Sequence, residues 1–237
     1  MPKLTALDLP GSAEFVHALQ KVWERGDAVF PLDRRLPTAA QESLLQRFGA
    51  ASIITGEGET VLGVGTPVEP GDALVIATSG SSGPPKGAVL THSAIEASAR
   101  ATSARLEVSV NDHWLACLPL AHIGGLSVIT RSLIMGTALT VIDGFDADLV
   151  DKSEATLVSL VSTALQRIDA TRFRYIVLGG ARPPADRVAL GVDGRRSRRQ
   201  ALRGPARGGP AAPAGAHPRR GAQPPGEAGR GDRKSTR

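Results

Sequence analysis

Residues 73–92 read Ala-Leu-Val-Ile-Ala-Thr-Ser-Gly-Ser-Ser-Gly-Pro-Pro-Lys-Gly-Ala-Val-Leu-Thr-His. Ala73 to Thr78 is a continuous apolar run ending in threonine, the pattern of a strand buried on both faces. Ser79 to Gly87 then breaks the run as a loop, and Ala88-Val89-Leu90 offers a second strand beyond it. Thr78, Ser79, Ser81 and Ser82 contribute hydroxyls, Gly80, Gly83 and Gly87 are glycines, and Lys86 is the one charge. Glycines let backbone amides approach an anion with no Cβ in the way. The hydroxyls add donors and Lys86 adds positive charge, so the segment has the composition of a polyphosphate cradle. It is not a Walker A loop, which needs Gly-Lys-Ser/Thr opening a helix; here Pro85 precedes Lys86 and Gly87 follows it. A plain Gly/Ser/Pro surface loop is the competing reading.

Outward from this segment, strands are expected at Ala28 to Pro31, Ala51 to Thr55, Trp114 to Leu118, Ala138 to Ile142, Thr156 to Val161 and Tyr175 to Leu178, the last ending in Gly179-Gly180. Helical spacing marks Pro37 to Phe48, with Thr38 as its N-cap, then Ser93 to Leu106, Gly125 to Met135 and Ser162 to Ile168. Gly56 to Gly71 reads as turn-rich. Strands alternating with helices predict an α/β fold with a mainly parallel sheet.

The chain has 237 residues, 41% hydrophobic and 22% charged, enough for a sizeable core. Aromatic residues are 3%, so that core is mainly aliphatic. A single cysteine, Cys117, excludes an intramolecular disulfide framework and a cysteine-rich zinc site. Met1 to Ser12 lacks the apolar core of a secretory signal. The longest uncharged stretch, His113 to Thr130, is interrupted by Pro119, Gly124 and Gly125, a poor membrane span. These features predict a cytoplasmic protein without a membrane partner.

The net charge of +5 is unevenly distributed. Residues 1–187 carry 16 basic and 20 acidic side chains, whereas 188–237 carry 12 basic and 3 acidic. In that tail Arg, Gly, Ala and Pro fill 36 of 50 positions, and Phe, Trp, Tyr, Ile, Met and Cys are absent. Such a segment cannot bury enough apolar surface to offset its ordering entropy, so it is expected to be disordered. It reads as a nucleic-acid contact, as a solvated terminus, or as the product of a frameshift in a GC-rich gene. The abrupt change near Val188 favours the frameshift over nucleic acid. The expected division is therefore a partial domain over 1–187 and a tail over 188–237.

Among single residues, His122 sits in the run Leu118-Pro119-Leu120-Ala121-His122-Ile123-Gly124-Gly125-Leu126. It is either a pocket group that donates to a carboxylate or packs on an aromatic acid, or a core histidine satisfied by backbone. His92 is expected to cap or pack at the start of its helix, and Cys117 to be core.

The segment Thr78 to Gly87 resembles the phosphate-binding signature of the adenylate-forming (AMP-binding, acyl-CoA synthetase-like) superfamily, and matches Ser/Thr-Ser/Thr-Gly-Ser/Thr-Ser/Thr-Gly-x-Pro-Lys-Gly at every position. Val89-Leu90-Thr91-His92 continues the likeness. Pro31 to Pro37 resembles the strand-turn-helix that precedes the loop, and Leu178-Gly179-Gly180-Ala181 resembles the stretch set against adenine and the acyl group. The resemblance covers about residues 25 to 187. The short lead before the loop and the Pro-Leu-x-His-Ile-x-Gly-Leu motif are similar to the o-succinylbenzoate–CoA ligases of menaquinone synthesis.

The resemblance implies an N-terminal subdomain of such a ligase. Thr78, Ser79, Gly80, Ser81, Ser82, Gly83, Lys86 and Gly87 would hold the ATP phosphates, with Lys86 in the catalytic role. His122, Gly179, Gly180 and Ala181 would line the acyl and adenine pocket. The small molecules implied are ATP with Mg2+, CoA and a carboxylic acid. The family continues with Tyr-Gly-x-Thr-Glu, whose glutamate holds magnesium. Tyr175 is the only tyrosine here and no Thr-Glu pair occurs, so no metal ligand is assigned, and a truncated chain with little or no turnover is expected.

Overall fold

The computed structural model describes residues 1–78 and 84–180, and the backbone of residues 202 and 203. Ser79, Gly80, Ser81, Ser82, Gly83 and Ala181 lie outside the described residues. So do the expected boundary at 187/188 and the rest of the tail.

The chain begins with a β-α-β unit of which the sequence predicts only the last strand, Ala28–Pro31. It comprises β1 (Leu4–Leu7), α1 (Ala13–Glu24) and β2 (Ala28–Pro31). Ser12 caps α1 by accepting from the Phe15 amide at 3.3 Å. Phe15, Ala18, Leu19 and Val22 are its buried residues, one stripe at helical spacing. Next come α2 (Thr38–Phe48), β3 (Ser52–Thr55) and β4 (Gly58–Val61), then β5 (Asp72–Thr78), β6 (Lys86–Thr91) and α3 (His92–Arg105). The second half supplies β7 (His113–Ala116), α4 (Ile123–Met135), β8 (Ala138–Val141), α5 (Ala147–Lys152), β9 (Leu157–Val161), α6 (Ser162–Leu165), a 3-10 turn over Ala170–Arg172 and β10 (Tyr175–Gly179). Residues Leu202–Arg203 form β11.

Two sheets result, rather than the one that alternation of elements suggests. The first has order β4-β3-β1-β2-β5-β6 and the second β11-β10-β9-β7-β8. The second is parallel throughout. The first is parallel at its centre and antiparallel at both edges, where β4 pairs with β3 and β6 with β5. One buried cluster joins Leu7, Val29 and Leu74 of the first sheet to Trp114, Leu157 and Tyr175 of the second, through Phe15 and Leu19 of α1, Ile95 of α3, and Leu126 and Ile129 of α4.

Three local expectations change. Thr38 is the first helical residue of α2 rather than its cap, because the Pro37 carbonyl already accepts from the Ala40 and Gln41 amides at 2.9 and 3.1 Å. The turn-rich stretch contains β4, a wholly exposed Gly-Glu-Thr-Val strand whose composition carries no apolar alternation. Helix α6 stops at Leu165, and Asp169 caps the 3-10 turn that follows.

Candidate functional site

The phosphate-loop candidate is held by a hairpin. Ala73, Leu74, Val75 and Ile76 of β5 are buried, as an uninterrupted apolar run demands. Antiparallel pairing sets Thr78 opposite Lys86, Ala77 opposite Gly87 and Ile76 opposite Ala88. The Thr78 hydroxyl donates to the Lys86 carbonyl at 3.0 Å, pinning the two ends of the loop together. From α2, Arg47 Nε donates to the Pro85 carbonyl at 2.7 Å and anchors the exit. Gly87 is required by packing: a Cβ there would lie 2.9 Å from Val75 Cγ1 and 3.4 Å from the Phe48 ring. Lys86 is exposed beside an open recess of about 780 Å³ that Ser43, Gln46, Arg47 and Phe48 also line. Arg47 was not singled out from sequence, although a basic residue closing a helix ahead of a phosphate loop is a usable signal.

A second cavity, of about 540 Å³, opens where loops leave the carboxyl ends of β1, β2, β7 and β8, the usual ligand position in open α/β sheets. Asp33, Arg34 and Arg35 reach it from the β2 loop, and Pro119, Leu120 and Ala121 from the β7 loop. Arg34 Nε pairs with Asp8 at 3.1 Å. Arg35 grips Asp33 with two bonds, Nε to Oδ1 at 2.8 Å and Nη2 to Oδ2 at 2.7 Å. The grip of Arg35 holds the Asp33 carboxyl below the ordinary range although partial burial works the other way.

His122 stands at the N-cap of α4, half exposed rather than in the core, with Nε2 2.8 Å from Arg35 Nη2. The hairpin thus gathers Thr78, Lys86 and Gly87, while His122 belongs with Asp33 and Arg35 beside the other cavity. Gly179 and Gly180 end β10 exposed, Gly180 with φ of +84°, and a Cβ on Gly179 would meet open space. The acidic half of the second cavity is assembled from three separate loops: Asp33 lies in the Pro31–Pro37 stretch noted in the sequence, whereas Asp8 and Asp143 carried no motif.

Other polar groups serve the fold. Asp112 is buried and accepts from Arg174 Nε and Nη2 at 2.8 and 2.5 Å, from Thr156 Oγ1 at 2.9 Å and from the Ser109 amide at 2.8 Å. His92 opens α3 with its ring edge-to-face on Trp23, 5.1 Å between centroids. Cys117 is core, and burial pushes its thiol up to about 12, so it is unreactive near neutrality. Among the described residues no cluster of His, Cys, Asp or Glu could hold a metal ion, and no helix is long and apolar enough to cross a membrane.

The family model described as AMP-binding enzyme matches residues 62–190. A 2-succinylbenzoate–CoA ligase of Bacillus anthracis (strain A0248) is 34% identical over 131 residues, covering 50% of this chain and 27% of that protein. One from Enterococcus faecalis is 33% identical over 129 residues, covering 49% and 27%. Among solved structures, the O-succinylbenzoate coenzyme A synthetase of Bacillus subtilis in complex with AMP superposes with a TM-score of 0.69 at 25% identity, covering 79% of this chain and 46% of that one. The same enzyme with ATP and magnesium ion gives 0.64 at 25%, covering 75% and 57%. The chain therefore spans about a quarter of the length of these curated relatives and about half that of these structures.

Proposed function

The chain belongs to the AMP-binding enzyme family, and from that premise we propose that it is the phosphate-gripping portion of an AMP-forming acid–CoA ligase acting on o-succinylbenzoate or a related aromatic acid. The observation that carries the reading is the β5–β6 hairpin, which closes a hydroxyl- and glycine-rich loop between Thr78 and Lys86 and leaves Lys86 exposed.

In the proposed reaction a carboxylate oxygen of the acid attacks the α-phosphorus of ATP. The bond to the bridging oxygen breaks and pyrophosphate leaves. Lys86 neutralises the departing charge and the hydroxyls of Ser79, Ser81 and Ser82 donate to it; the Thr78 hydroxyl joins them only on leaving the Lys86 carbonyl. The CoA thiol, losing its proton, then attacks the acyl carbon of the adenylate, and AMP leaves with the electron pair of the broken mixed-anhydride bond. His122, Gly179, Gly180 and Ala181 are proposed to face the acid and the adenine. Magnesium is proposed to arrive with ATP, since the sequence has no Thr-Glu pair to hold it. The proposed division is a partial AMP-binding region over 1–187 and a tail over 188–237.

Two measurements on the intact chain test this reading. Equilibrium titration with ATP is expected to show saturable binding that pyrophosphate competes away; no binding at millimolar ATP would refute the phosphate-loop assignment. ATP–pyrophosphate exchange with o-succinylbenzoate and other aryl acids is expected at background, and clear turnover would show that the Thr-Glu pair is dispensable.

A further inference from the structure

We propose that Arg35 is a positioning residue that fixes the tautomer of His122, with Asp33 holding Arg35 in place for that task.

A guanidinium has five N–H donors and no acceptor. Arg35 Nε donates to Asp33 Oδ1 at 2.8 Å, and Nη2 donates to Oδ2 at 2.7 Å. Nη2 carries a second hydrogen, and the atom facing it is His122 Nε2 at 2.8 Å. Because arginine cannot accept, Nε2 must present its lone pair. A neutral imidazole has one N–H, which is therefore on Nδ1. An imidazolium would set N–H against N–H at that separation. Asp33 Oδ2 lies 3.7 Å from Nε2, too far to compete for it.

The backbone of His122 is equally constrained. Its amide donates to the Pro119 carbonyl at 3.2 Å, and its own carbonyl accepts from the Gly125 and Leu126 amides at 3.1 Å each, opening α4. The ring is held at one end by α4 and at the other by a side chain 87 residues earlier in sequence. Nδ1–H has no partner among the described residues, and the side chain is 55% exposed. A neutral ring with one free donor suits an anionic oxygen, such as the carboxylate of an acid. It cannot act as a base through Nε2 while Arg35 occupies that lone pair. The tautomer follows from the contacts alone; the identification of the acid as its ligand rests on the function proposed above.

The intact chain labelled with 15N-histidine provides the test, by long-range proton–nitrogen spectra at about pH 8.5, two units above the ordinary imidazole value. His122 is identified by the resonance lost in His122→Gln. The wild-type ring is expected to show a protonated Nδ1 and a bare Nε2. Arg35→Met, a change at an exposed side chain, is expected to return it to the Nε2–H form that an unconstrained histidine favours. Asp33→Asn keeps the arginine charge but weakens its anchor, and is expected to give a mixture of the two forms. His17 and His113 should not move in either variant. A wild-type His122 in the Nε2–H form, or an Nδ1–H form that survives Arg35→Met, would overturn the proposal. Adding ATP and then o-succinylbenzoate to the same samples separates the two claims. A tautomer that switches with Arg35 while neither ligand shifts any resonance would retain the positioning role and remove the ligase reading.

Discussion

Lys86 and Gly87 are adjacent but serve different ends. Lys86 is exposed, so removing it perturbs affinity and not folding. Lys86→Ala is expected to weaken ATP binding about 10- to 100-fold, the value of one charge-assisted contact, with an unchanged unfolding midpoint; calorimetric titration beside a urea melt separates the two. Gly87→Ala is expected to act on stability. Its new methyl would press on Val75 and Phe48 and cost about 1–2 kcal/mol of stability, read as a lower urea midpoint. The proposed phosphate loop is legible in sequence because its residues are consecutive: ten positions, Thr78 to Gly87, carry the donors, the glycines and the charge. The contact of His122 with Arg35 was not, because those side chains meet only when two sheets bring distant loops together.

At the scale of elements, α4 contains the least expected feature. Arg131 is 6% exposed, stacks 4.7 Å from the centroid of the Trp114 ring, and leaves Nε and Nη1 without a hydrogen-bond partner among the described residues. Burial brings its guanidinium down to about 10. A desolvated cation without an ion pair is costly. Arg131→Met keeps the aliphatic packing and is expected to raise the unfolding free energy by about 1–2 kcal/mol in urea titration; a fall of that size would mean that the stacking on Trp114 outweighs desolvation. Arg174 is the opposite case. It compensates the buried Asp112 carboxylate and ties the loop before β7 to the start of β10. Arg174→Met is expected to cost about 3 kcal/mol in the same titration, because Asp112 would stay buried without its cation. Strand β4 was missed for a physical reason: an exposed edge strand needs only backbone pairing, and so leaves no hydrophobic period to read.

For the molecule as a whole, acid is the informative perturbation. Arg35 holds Asp33 below the ordinary carboxyl range, and Arg25 does the same for Glu59. Burial alone would raise Asp112, but Arg174, Ser109 and Thr156 together bring it below the usual value. Groups whose pKa is lower in the folded state stabilise it above their unfolded value, and that contribution is lost as pH falls through the lowered one. Stability is therefore expected to be flat near neutrality and to decline below about pH 4, followed by the fluorescence of Trp23 and Trp114. A chain that loses stability already between about pH 7 and 5 would assign the transition to histidines instead.

What the sequence determined by itself was the order of most strands and helices, the α/β class and the composition of the loop that the Thr78–Lys86 pairing closes. Each of these is written in consecutive residues, through apolar runs, helical spacing and a compact set of donors. Only the tertiary structure decided that there are two sheets, that the first begins at Leu4, and that the carboxyl ends of β1, β2, β7 and β8 share one cavity. Strand pairing and loop convergence depend on long-range packing, and no short window of sequence records which distant loop a side chain will meet. For that reason the partner of His122 is visible only in the folded chain.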